Sequence, residues 1–100
     1  MSPASRERAP SLSCRVQVCE GVLFQELQGE AVLLNLNSGI YFGLDAVGTR
    51  MWQLIVEHEQ LAPVVQSVVA EYDVSESQSA ADLLALVAKL QEQGLVTLRE

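Results

Sequence analysis

The apolar residues of this chain change their spacing once, at Asp45, and that change decides what the chain can fold into. Before it, apolar and polar side chains alternate. Val16 and Val18 share one face of residues 15–19, a second run covers residues 22–27, and a third covers residues 31–36. A period of two is the mark of a strand with one buried face. Gln28-Gly29-Glu30 and Asn37-Ser38-Gly39 separate the runs with residues that tolerate positive φ, and Ile40-Tyr41-Phe42-Gly43-Leu44 completes the series. The first half therefore reads as an antiparallel meander.

From Asp45 onward apolar residues recur every three or four positions. Asp45 is a good N-cap, and Val47, Met51, Leu54, Ile55 and His58 fall on one helical face. Trp52 belongs to the core or its rim. Leu61, Val64, Val65, Val68, Val69 and Tyr72 form a second helical stripe, with Pro63 tolerable because it lies in the first turn. Ser75-Glu76-Ser77-Gln78 has the form of a capping box and opens a third helix. That helix directs Leu83, Leu86, Val87 and Leu90 inward and stops at Gly94. Residues 95–98 are expected as a short strand or a docked tail. Strands first and helices after them predict an α+β domain. Its outline, a small meander of three or four strands beside three helices, is that of a winged helix-turn-helix. Residues 1–13, rich in Ser, Pro and Arg, read as a flexible tail before a single domain over 14–100.

The charge excludes one class of partner. Thirteen acidic and six basic residues give a net charge of −7, and from Cys14 onward the only bases are Arg15, Arg50, Lys89 and Arg99. A duplex-binding surface needs clustered Lys and Arg to neutralise phosphates, so nucleic acid is not an expected partner. The apolar runs are far too short to span a bilayer, and no run of signal-peptide length follows Arg6 and Arg8, so the reading is a cytoplasmic protein without a membrane partner. Cys14 and Cys19, five residues apart on an extended segment, read as two reduced thiols. His58 is the only imidazole, no nucleophile–base pair is apparent, and Gly39, Gly43 and Gly48 lack phosphate-loop spacing. The expectation is a protein without catalytic residues, metal or cofactor.

The segment that stands out runs Leu33-Leu34-Asn35-Leu36-Asn37-Ser38-Gly39-Ile40-Tyr41-Phe42-Gly43-Leu44-Asp45-Ala46-Val47-Gly48-Thr49-Arg50-Met51-Trp52-Gln53-Leu54. A strand ending Leu-Leu-x-Leu, a Ser-Gly turn, an aromatic strand, a Leu-Asp step, a Gly and an aliphatic-Trp-x-Leu helix follow in order. Further on, Leu90-Gln91-Glu92-Gln93-Gly94-Leu95 closes the last helix. In these features the chain resembles the PqqD-like family over about residues 20–98. The members of that family recognise the leader segments of ribosomally made, modified peptides.

The resemblance implies a three-stranded antiparallel sheet followed by and packed on three helices, with a leader peptide adding as an extra strand beside the last strand, against the third helix. Carried onto this sequence, the peptide-binding residues are Ile40, Tyr41, Phe42, Gly43 and Leu44 on the strand and Ala80, Leu83, Leu84 and Val87 on the helix. Ile40, Phe42, Leu84 and Val87 could equally be core. Within the family the chain looks most similar to stand-alone leader-binding proteins of lasso-peptide pathways, which implies a leader peptidase as the partner processing enzyme. The homologous peptide chaperone for a radical S-adenosylmethionine enzyme in pyrroloquinoline quinone synthesis is the alternative. A winged-helix DNA-binding regulator is a rival suggested by outline alone and opposed by the charge.

Overall fold

The computed structural model describes residues 9–99, and among these the chain forms five strands and three helices. In chain order they are β1 (Arg15–Val18), β2 (Val22–Leu27), β3 (Glu30–Asn35), β4 (Ile40–Leu44), α1 (Ala46–His58), α2 (Leu61–Glu71), α3 (Glu76–Glu92) and β5 (Val96–Arg99). The switch from strands to helices falls at Asp45, where the residue spacing changes. Asp45 caps α1 by accepting from the Gly48 amide at 2.7 Å.

β2, β3 and β4 make one antiparallel sheet in that order. Gln28 and Gly29 both take positive φ, 56° and 83°, which matches the two-residue turn that the twist of a tight hairpin favours. In the next turn only Gly39, at φ 75°, adopts that conformation. Asn37 and Ser38 are held instead by the Asn35 carboxamide, whose Oδ1 accepts from both of their amides.

One expectation about the meander needs correction. β1 does not extend it but pairs with β5, from Arg15↔Arg99 to Val18↔Val96, in a separate two-stranded sheet. The Cys19 amide continues that pairing by donating to Leu95 O at 3.0 Å. The arrangement buries Val16 and Val96 in the common core. A period-two pattern says that a strand has a buried face but not which strand lies beside it.

The core lies between the inner face of the three-stranded sheet and the three helices. Leu33, Ile55, Leu61, Val64, Leu83 and Leu90 are fully buried within it. Each such side chain contributes roughly 1.5–3 kcal/mol by leaving water. Trp52 is also core, at 4% exposure. A bidentate ion pair ties α1 to α2, with Arg50 Nε and Nη2 donating to the Glu71 carboxylate at 2.7 and 2.8 Å. At the start of α3, Ser75 caps the Gln78 amide as expected. The Gln78 side chain does not complete the capping box, donating instead to Asp82 at 2.8 Å.

The flexible tail expected over residues 1–13 lies, for residues 1–8, outside the described residues. Leu12 is half-buried against the core, and Ser11 O accepts from the Cys14 amide at 3.1 Å. No helix of the described residues is long and apolar enough to cross a membrane.

Candidate functional site

Among the described residues β4 pairs with β3 on one side only, so its other edge offers backbone donors and acceptors that no described strand takes up. Beside that edge the sheet and α3 do not close onto one another. They leave a groove of about 550 Å³ whose strand side is Phe42, Gly43 and Leu44. Met51, Val68, Tyr72 and Val74 contribute apolar surface from α1, α2 and the segment before α3. The helix side consists of Ser79, Asp82, Ala85, Leu86 and Lys89. A groove with an open strand edge and an apolar floor can take up an extended peptide, because the edge bonds any backbone while the floor selects side chains.

The sequence-derived residues divide unevenly against this geometry. On the strand, Phe42, Gly43 and Leu44 line the groove, while Ile40 and Tyr41 are exposed at the start of β4. On the helix, none of the four expected residues lines it. Leu83 and Val87 have no accessible surface and are core, and Ala80 and Leu84 pack half-buried against the core. The groove face of α3 is the adjacent stripe, with Asp82, Leu86 and Lys89 spaced i, i+4, i+7. At 100° per residue, Leu84 lies on the opposite flank of the core stripe from Leu86. The apolar period correctly identifies the inward stripe, but a groove is lined by that stripe's margin. A mixed stripe of one acid, one Leu and one Lys gives no hydrophobic signal.

Asn35 was also missed. It is buried at the end of β3, where its Nδ2 donates to Gln93 O and Gly94 O at 3.4 and 3.3 Å. These bonds tether the end of β3 to the C-terminal end of α3. An Asn beside a turn suggests only turn chemistry in a sequence.

The outer face of the same sheet is a second unusual surface. Antiparallel register places Leu23, Leu34 and Tyr41 in one row and Gln25, Val32 and Gly43 in the next, all on the side away from the helices. Leu27 and Tyr41 there are 75% and 71% exposed. An exposed apolar face of this kind, with Glu30 at its margin, is a candidate interaction surface.

His58 is half-buried at the end of α1, with Nε2 3.7 Å from Glu57, and does not line the groove. Among the described residues no group of three or more His, Cys, Asp or Glu side chains could hold a metal ion. Cys14 is buried, Cys19 half-buried, and both are free thiols.

A profile of the family described as coenzyme PQQ synthesis protein D (PqqD) matches residues 30–96. Two solved structures are similar to the chain. One, TbiB1 in complex with the TbiA(beta) leader peptide, is 35% identical with a TM-score of 0.76, over 80% of this chain and 93% of that one. The other, lasso peptide synthetase B1 complexed with the leader peptide, is 26% identical with a TM-score of 0.75, over 82% and 96%. No curated protein matches the chain.

Proposed function

The chain belongs to the PqqD family, and from that premise we propose that it captures the leader segment of a ribosomally made precursor peptide and delivers it to a processing enzyme, without catalysis of its own. The observation that carries the proposal is the free edge of β4 beside an apolar groove. The leader adds there as a fourth strand of the β2–β4 sheet. Main-chain bonds to residues 40–44 supply affinity, and the floor at Met51, Val68 and Tyr72 takes alternate side chains. Support comes from the two similar proteins, each of which binds a leader peptide.

Delivery requires a second surface that stays free while the leader is held. The outer face of the sheet supplies it, since Leu23, Val32 and Tyr41 point away from the groove side of the same strands. A partner for this face carries an apolar patch with a basic side chain at its margin, complementary to Glu30. A leader peptidase of a lasso-peptide pathway is the favoured enzyme, because one of the similar proteins is a lasso peptide synthetase component. The description of the family itself favours a second reading, a peptide chaperone in coenzyme PQQ synthesis. Pull-down of the full chain with each class of enzyme separates the two.

Hydrogen exchange with and without the TbiA(beta) leader peptide tests the site. New protection is expected at residues 40–44 and on α3 at residues 82–89, with the outward side of α2 unchanged. Protection confined to β1, or to residues of α2 away from the groove, would mean that the leader binds elsewhere on the same fold.

A further inference from the structure

The groove carries its own charges, and they are unequal along its length. Of the four bases among the described residues, Arg50 is bound to Glu71, and Arg15 and Arg99 lie together on the β1–β5 sheet. Lys89 alone lines the groove, and its side chain pairs with no other described residue. Asp82 lines it two helical turns earlier, and Asp45 lies at the end of β4.

The tether at Asn35 orients this pattern. Asn35 is the register partner of Ile40 and is bonded to Gln93 and Gly94, so the start of β4 lies by the C-terminal end of α3. Lys89 is therefore nearer the Ile40 end of the edge, and Asp82 is nearer the Leu44 and Asp45 end. The two are seven residues apart, about 10 Å along the helix axis.

Resting on the leader-capture reading above, we propose that Asp82 and Lys89 are specificity residues that fix the direction and register of the bound leader. All the strand pairings among the described residues are antiparallel, and that pairing is the more stable per residue. A leader antiparallel to β4 enters at the Leu44 end and leaves at the Ile40 end. It meets Asp82 first and Lys89 later. The preferred leader thus carries a basic side chain followed by an acidic one. Both must point to the α3 side, which requires an even separation. Four residues of strand span about 13 Å, and the long Lys89 stem covers the difference from the helix spacing. Reversing the leader, or sliding it by one residue, places like charges together or turns both away. The backbone edge alone accepts a strand in either direction, so without the charges nothing in the ladder would exclude the reversed peptide.

The test uses synthetic derivatives of the TbiA(beta) leader in which other charged residues are replaced by Gln. A Lys and a Glu four residues apart are walked along each derivative in both orders, beside a derivative with no charge. Affinities are measured by calorimetry at low salt for the wild-type chain and for the charge-swapped variant Asp82→Lys/Lys89→Asp. Both positions are exposed, so the swap leaves the fold intact, as circular dichroism will verify. At one register the wild type should bind Lys-then-Glu about fivefold tighter than Glu-then-Lys, the upper range for a solvent-exposed pair, and salt should erase the difference. The swapped variant should reverse the preference, while the uncharged derivative binds both proteins alike. Lys89→Gln should remove the preference for Glu only. Equal binding of both orders by the wild type, or a preference that the swap does not reverse, overturns the assignment while leaving leader capture standing. Failure of every derivative, the uncharged one included, removes leader capture and this inference together.

Discussion

Val32 and Leu33 are neighbours in β3, yet Val32 is 41% exposed and Leu33 has no accessible surface. The same division runs through the whole sheet. Ala31, Leu33 and Asn35 face the helices, whereas Val32 and Leu34 belong with Leu23 and Tyr41 to a face that no described element covers. Both faces are apolar, so hydrophobicity does not distinguish the packed face from the one proposed to meet a partner. Covering by α1 to α3 does. The inner face is held by packing, where each cavity costs stability, and the outer face is free to lose apolar area without loss of the fold.

This contrast breaks first, and most visibly, at the core. Leu33→Ala should cost about 2–5 kcal/mol and Trp52→Ala about 3–5 kcal/mol in denaturant unfolding. Leu27→Ser on the outer face should stay within about 0.5 kcal/mol. If Leu27→Ser destabilised as much as Leu33→Ala, the outer face would be structural and its assignment to a partner would fail. Asn35→Ala should cost about 1–3 kcal/mol, since it unpairs the amides of Asn37 and Ser38 and the carbonyls of Gln93 and Gly94 together. It should also weaken leader binding beyond that stability loss, because the C-terminal end of α3 is no longer tied to the sheet. Unchanged affinity in the folded fraction would reduce Asn35 to a turn residue.

Smaller effects sharpen the functional half of the comparison. Leu23→Ser combined with Tyr41→Ser should lower stability by under about 1 kcal/mol and leave leader affinity unchanged. The same pair of substitutions should slow leader processing by the partner enzyme. Loss of leader affinity in that variant would place the peptide on the outer face.

The smallest effect is expected at the α1–α2 ion pair. The hydrogen bonds from Arg50 hold the Glu71 carboxyl below its ordinary value. A carboxyl with a depressed folded value stabilises above its unfolded value, and that contribution disappears as the pH falls through the folded one. The stability difference between wild type and Glu71→Gln should thus be full at neutral pH, close in acid, and shrink with salt because the pair is exposed. A difference that persisted in acid would point to packing of the Glu71 stem instead.

Much of this molecule follows from local residue chemistry. The switch of period at Asp45, the turns at Gly29 and Gly39, the caps at Asp45 and Ser75 and the stop at Gly94 each depend on a few consecutive residues, so the order of elements and the α+β class are legible in the sequence. The strand that carries Phe42, Gly43 and Leu44 is legible for the same reason, whereas a place for these residues beside a bound peptide was implied only by the family resemblance. What only the tertiary structure decided are relations between distant segments. The union of β1 with β5 depends on residues some 80 positions apart. The choice of Asp82, Leu86 and Lys89 over Leu83 and Val87 depends on where α3 stands relative to β4, which its own period cannot express. The exposure of the outer face depends on all three helices packing on the other side. Periodicity reports that a side chain wants to leave water, and only the assembled fold determines which surface it meets.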